Sequence, residues 1–403
     1  MWLKIPSRWD EKDALFWGFG ASSILLQNPQ PLLEGKGVFL VPPRCPRDVF
    51  LNWPSLEYLG ASGVERLMWG LGPVIGPPIC VDGEVVGIIM FVPRTPNMIK
   101  KDPGGSLRLV QQCAQFARDL GAEWLATGAF LGSFVGLGRQ LHVDGLKLTL
   151  GHSATVYLAV NILLGALRKV GLDPGRSVVA IAGAGGNIGR SLALQLAGRV
   201  GHLVLFDQLG GSIHRRMEQV AVTVRQSGTF VSVHSNGEGY GVLRVADGVV
   251  TALTDESQPL RAKDLKHGVV LLEDSQPEAM EPQEAEKLAI PRLGVVAKTP
   301  GVDANFTFQP DIGRTGINYP CLAELLACMK LGVSEGLTGT VTQESVDRVA
   351  ELLIEAGYGQ VVFHSDGRVV TESDWGRARQ LIASRPTVEQ KVPAVLESVK
   401  SLA

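Results

Sequence analysis

No charge of one sign dominates this sequence. Its 38 basic and 40 acidic side chains leave a formal net charge of -2, which offers no broad electrostatic footprint for nucleic acid. Long apolar runs are missing as well. The longest apolar helical stretch, 156–167, is shorter than the roughly 20 residues that a membrane-spanning helix needs. The opening residues, Met1-Trp-Leu-Lys-Ile-Pro-Ser-Arg-Trp-Asp10, lack the uninterrupted apolar core of a secretion signal. Cysteine is scarce, with five residues at 45, 80, 113, 321 and 328. An odd number at these spacings builds neither a disulfide framework nor a zinc site. A reducing cytoplasm is the simplest expectation, with no metal.

What is there organises around one stretch, Ser177-Val-Val-Ala-Ile-Ala-Gly-Ala-Gly-Gly-Asn-Ile-Gly-Arg190. An apolar run reads as a buried parallel strand, glycines crowd the turn after it, and helical spacing follows. Strand, glycine turn and helix form a dinucleotide-binding fingerprint. Gly183 serves the tight turn, Gly185 and Gly186 let backbone approach a pyrophosphate, and Gly189 lets the helix pack on the strand. Asn187 and Ile188 stand at the helix N-terminus, where free N–H groups receive phosphate. A second apolar strand, 202–206, ends in Asp207. An acid there accepts hydrogen bonds from the adenosine ribose and repels a 2′-phosphate. The cofactor expected is NAD(H), with NADP(H) left open.

The 403 residues, 45% hydrophobic and 19% charged, allow two or three domains of an ordinary globular kind. Residues 1–75 read as an N-terminal extension or cover with no chemistry of their own. Residues 76–170 read as a substrate domain. It has a hairpin at Asp82-Gly83, a strand over 86–92, a helix over 107–120 and a small-residue loop over 125–134. Thr149-Leu-Gly-His-Ser-Ala-Thr-Val-Tyr157 opens a long helix that ends near Gly171. Residues 171–305 read as the dinucleotide domain, with strands over 230–233, 246–254, 268–272 and 293–297 and a helix over 212–227. Their carboxyl ends, including Glu273-Asp-Ser275 and Lys298, face the ligand. Residues 306–403 read as a C-terminal helical segment. It starts with a loop over 306–316, carries a helix over 319–331 and another over 345–356, turns at Ser365-Asp-Gly-Arg368, and ends in a tail that packs on the body or serves an oligomer. The fold class is α/β, a Rossmann-type doubly wound parallel sheet with an N-terminal α/β domain and C-terminal helices.

Cys321 stands at the start of the 319–331 helix. A helix N-terminus stabilises a thiolate, so this position is expected to lower the thiol pKa. A buried core cysteine is the bland alternative. His152 suits proton transfer near neutrality or a structural hydrogen bond. Ser153 and Lys298 are further hydrogen-bond donors for an oxyanion. Glu324, one turn past Cys321, either tunes the thiol or makes a surface ion pair.

Four segments resemble, in order, motifs of the cyanobacterial long-chain acyl-(acyl carrier protein) reductases, which make fatty aldehydes. They are Gly128-Ala-Phe-Leu-Gly-Ser133, Thr149–Tyr157, Ala182-Gly-Ala-Gly-Gly-Asn-Ile-Gly189 and Tyr319-Pro-Cys-Leu-Ala-Glu324. The resemblance covers about residues 81–358. It implies that Cys321 carries the acyl group as a thioester and that an acyl carrier protein or acyl-CoA brings the substrate. Two positions depart from the pattern. Ala154 stands where the family has His, and Asp207 stands where that NADPH-using family has a basic residue. The expectation is an oxidoreductase that converts acyl thioesters to aldehydes through Cys321. A non-covalent dehydrogenase of a small carbonyl or alcohol, or an NAD-binding regulator, are the alternatives.

Overall fold

The computed structural model describes residues 4–7, 9–235, 237, 239–254, 259–304, 312–313 and 316–384. Most of the 306–316 loop and the tail from 385 to 403 lie outside the described residues. Two six-stranded sheets carry the fold.

The first sheet uses β1 (Gly37–Val41), β2 (Val74–Val81), β3 (Glu84–Phe91), β4 (Trp124–Thr127) and β5 (Lys147–Thr149). A late two-residue strand, Val302–Asp303, pairs antiparallel with β2 at its edge. The order is Val302–Asp303, β2, β3, β1, β4, β5. The β2–β3 hairpin turns at Asp82 (φ 50°) and Gly83 (φ 86°), the double positive φ that an Asp-Gly turn provides. β1, β4 and β5 run parallel. β1 comes from the segment read as a cover, yet it lies between β3 and β4 with all five residues buried. Its side chains alternate between two cores, as the period of a strand requires. Val38 and Leu40 join the cluster of Val110 and Phe116. Phe39 and Val41 join the cluster of Trp53 and Phe91.

The second sheet is parallel throughout. Its strands are β6 (Val178–Ala182), β7 (His202–Asp207), β8 (Phe230–Ser235), β9 (Gly248–Thr251), β10 (Val270–Glu273) and β11 (Leu293–Gly294). Their order is β11, β10, β9, β6, β7, β8, the doubly wound arrangement. The chain direction across the sheet reverses between β6 and β9, which opens a crevice at their carboxyl ends.

The helix His152–Lys169 joins the sheets. It buries residues all round, from Ala154 and Val156 to Leu167, because elements cover it on several sides. The helices Asn187–Leu196, Pro320–Lys330 and Gln343–Glu355 pack against it. The C-terminal segment therefore returns to the first half of the chain. Gly37 on β1 sits so close to the Pro320–Lys330 helix that a Cβ would lie 2.6 Å from Met329 Sδ. Among the described residues, no helix is long and apolar enough to cross a membrane.

Candidate active site

The glycine turn follows β6 directly. Gly183 has φ +92°, and a Cβ there would lie 2.3 Å from the Ala252 carbonyl oxygen at the end of β9. At Gly189 a Cβ would lie 2.2 Å from the Gly183 oxygen, and at Gly185 2.2 Å from Ile213 Cγ2. Only glycine keeps this turn closed against helix and strand. Gly186, Asn187 and Ile188 line a cleft of about 320 Å³. The first N–H groups of the Asn187–Leu196 helix have no acceptor within the helix and carry its positive end. That cradle fits the pyrophosphate of a dinucleotide.

Asp207 ends β7 and lines the same cleft. Its Oδ2 accepts from Gly185 N–H at 3.1 Å and its Oδ1 from Leu209 N–H at 3.0 Å. It thus braces the glycine turn, with lone pairs left for ribose hydroxyls. Arg216 lines the same cleft. Replacing Asp207 with Ser removes the negative charge and leaves Arg216. The expected result is a shift of the NADH/NADPH Kd ratio toward NADPH by at least ~10-fold, about 1.4 kcal/mol, read by nucleotide fluorescence titration.

The loop after β4 closes the cleft from the first sheet. Ala129, Phe130 and Ser133 line it, and Asn187 Nδ2 donates to Ser133 Oγ at 3.0 Å. Phe39, Val41, Leu150 and Val295 give the cleft apolar walls, and His152, Asp274, Tyr319 and Cys321 add polar groups. The cleft therefore unites Gly183, Gly186, Asn187, Ile188 and Asp207 with two of the five catalytic candidates, Cys321 and His152, whereas Gly185, read as a pyrophosphate glycine, packs on Ile213 and Gly189 packs on the turn.

Gly151 brings those two together. It has φ +71° and packs on Cys321 so tightly that a Cβ would lie 2.1 Å from Cys321 Cβ. Glu324 fastens the contact. Its Oε1 accepts from the Thr149 hydroxyl and from Gly151 N–H at 2.9 Å, and its Oε2 from Ala154 N–H at 3.0 Å. Glu324 is buried, so it is not a surface ion pair, and its charge bears on the thiol from beside it. It caps the His152–Lys169 helix from outside, and burial raises its pKa.

The expected lowering of the Cys321 pKa is reversed. Burial pushes the thiol up to about 12, and the Glu324 and Asp274 carboxyls add to the rise. The N–H groups of Leu322 and Cys321 act in the opposite sense and lose. Desolvation of a charge outweighs two backbone dipoles here. His152 is also buried, which holds its imidazole down to about 4. It is neutral at physiological pH, and its Nδ1 has no hydrogen-bond partner.

Two candidates stand elsewhere. Lys298 lies on a two-stranded ribbon, Ala297–Lys298 against Ile317–Asn318. It lines a separate hollow with Pro300 and Asp303. Ser153 Oγ donates to Ser345 Oγ at 3.1 Å, away from the cleft. Lys298→Ala is expected to leave any activity of the cleft within about two-fold, the size of a surface change of ±0.5 kcal/mol, as steady-state kinetics would measure. Sequence reading set Asp274 among the ligand-facing strand ends but gave it no catalytic role. The signal was present in the tandem acids at the end of β10. Alternation sends one of two neighbours to each face of a strand. Burial, then the Glu273 charge, lifts Asp274 to about 8.

No family model matches the chain, and no curated protein is significantly similar to it. Solved structures share parts of the architecture at low identity. A putative malic enzyme (malate oxidoreductase) is similar at 11% identity and a TM-score of 0.40, over 95% of this chain and 96% of that one. L-tryptophan dehydrogenase from Nostoc punctiforme is similar at 13% identity and 0.37, over 87% of each chain. Shikimate 5-dehydrogenase from Listeria monocytogenes, in complex with shikimate and NAD, is similar at 12% identity and 0.28, over 59% and 77%. Nothing about the site rests on likenesses at this level.

Proposed function

We propose that this protein is an NAD(H)-dependent oxidoreductase that reduces acyl thioesters to aldehydes, with Cys321 as the acyl acceptor. One observation carries the reading: a single cleft has the glycine turn and Asp207 among its walls together with Cys321 and His152. A nicotinamide dinucleotide supplies hydride when bound there.

The rest is the work of this chain. The apolar side chains Phe39, Val41, Phe130 and Leu150 suit an acyl chain through its loss of water contact. Among the described residues that line the cleft, the cation is Arg216. No other Lys or Arg lines the cleft among the described residues to hold a substrate carboxylate, which suits a neutral thioester better than a hydroxy or amino acid. Cys321 takes the acyl group from acyl-CoA or an acyl carrier protein thioester, and the carrier leaves as its free thiol. Holding the acyl group as a thioester divides a difficult displacement into easier steps. His152 offers a neutral imidazole to hydrogen-bond the carbonyl oxygen as charge develops on it.

A second reading is a non-covalent dehydrogenase of a small carbonyl or alcohol. The raised Cys321 pKa favours it, since the resting thiol stays protonated. Steady-state turnover separates the two. Wild-type protein with NADH and a panel of acyl-CoA and acyl carrier thioesters should yield aldehyde, and Cys321→Ser should lose at least ~1,000-fold in kcat, about 4 kcal/mol of barrier. Carbonyl reduction retained in Cys321→Ser would favour the second reading. Tight NADH binding without turnover of any substrate would favour a regulator.

A further inference from the structure

A thiol held protonated needs a base before it can attack, and the cleft offers two. His152 is free but weak, since a base is most effective when its pKa is near the working pH and burial holds this imidazole at about 4. Asp274 is the better match. Alternation along β10 turns Glu273 into the packing, where it accepts from the Thr251 hydroxyl and from Ala279 N–H at 2.9 Å. Asp274 turns the other way and lines the cleft with Cys321. Its backbone N–H is fixed to the Thr251 carbonyl oxygen at 2.9 Å. Its carboxyl has no hydrogen-bond partner among the described residues, whereas both oxygens of Glu324 are engaged. Its charge also weighs on the thiol, raising the Cys321 pKa.

We propose that Asp274 is the catalytic base that takes the Cys321 proton and returns it to the departing carrier thiol. This rests on the reading of Cys321 as acyl acceptor. The Cys321 S–H bond breaks as its proton passes to an Asp274 carboxylate oxygen. The sulfur pair forms a bond to the thioester carbonyl carbon, and the C=O π pair moves onto oxygen. That pair then reforms C=O, the bond to the carrier sulfur breaks, and the carrier thiolate takes the proton back from Asp274. The sum is thiol exchange, with no further reagent. Thiolate and carboxylate discourage each other in the shared cleft, so the proton moves within the pair. The other titratable or charged groups around this pair are His152, Tyr319, Asp207 and Arg216 in the cleft walls, Glu273 on the same strand and Glu324 on the helix of Cys321.

The test is the rate at which Cys321 reacts, followed by intact mass and peptide mapping across neutral to alkaline pH without nucleotide. Iodoacetamide and acyl-CoA serve as separate probes. In wild type, both rates should climb with an inflection near pH 8, where Asp274 ionises. In Asp274→Asn the inflection should vanish and acylation should slow by at least ~100-fold. Asp274→Glu, which keeps a carboxyl, should recover part of the rate. An Asn variant with the wild-type rate and inflection would overturn the proposal, as would a wild-type profile with no inflection near pH 8. Asp274-dependent alkylation without acylation by any thioester would overturn the proposed function and leave the proton transfer standing.

Discussion

Gly151→Ala should remove most of the activity and destabilise the fold by about 3 kcal/mol. Two costs combine at this position. The φ of +71° is left-handed, which costs a residue with a Cβ about 1–2 kcal/mol. The new methyl would also lie 2.1 Å from Cys321 Cβ and 2.4 Å from its Cα. The second contact is with backbone, so no rotamer change relieves it. Overpacking of this kind costs about 1–3 kcal/mol. The Pro320–Lys330 helix has to move away from the start of the His152–Lys169 helix, which separates Cys321 from His152. A displacement near 1 Å costs about 100-fold in rate. Gly171→Ala is the control, because Gly171 has φ +85° with nothing within 4 Å of its Cβ position. It pays the backbone strain alone. Thermal unfolding and kcat/KM of the two variants should therefore diverge, and equal losses would show that the Gly151–Cys321 contact is not what matters.

Glu324→Ala should damage stability at least as much, by about 3 kcal/mol or more, from three donors at about 1 kcal/mol or more each. Its carboxylate satisfies the Thr149 hydroxyl and the Gly151 and Ala154 N–H groups, and all three residues are buried or tightly covered. Truncation leaves those donors without an acceptor, and each buried unsatisfied group costs about 1–3 kcal/mol. Glu324→Gln should lose less, since its amide oxygen still accepts on one side while its NH2 meets a donor on the other. Denaturant titration should give the order wild type, Gln, Ala. An Ala variant as stable as the Gln variant would mean that water replaces the carboxylate.

Much of the dinucleotide half was legible because its signals are local. The glycine turn, Asp207 and the Asp82-Gly83 hairpin each depend on a few consecutive residues. Strand alternation and helical spacing placed β6 to β10 within a residue or two or three. The remainder depended on contacts far apart in the chain. β1 sits at the centre of a sheet because strands from 84–91 and 124–127 flank it, which nothing within 37–41 reveals. The helix dipole at Cys321 was legible, but the burial and the carboxyls that overcome it come from the packed structure, with Asp274 47 residues away in sequence. Glu324 does bear on the thiol, but its hydrogen bonds were not legible because its partners lie at 149–154, far away in the chain. Lys298 stood at an expected ligand-facing strand end, yet its two residues pair with Ile317–Asn318 in a ribbon, and that pairing carries the lysine to another hollow.

The central claim is that Cys321 accepts an acyl group inside the cleft that holds the dinucleotide. Intact mass tests it most directly. Wild type and Cys321→Ser are mixed with acyl-CoA and acyl carrier thioesters without nucleotide, and NADH is then added. The expected result is an acyl adduct on wild type, none on the variant, and discharge of the adduct as aldehyde when NADH arrives. Absence of an adduct with every thioester, or an adduct that NADH leaves untouched, would contradict it.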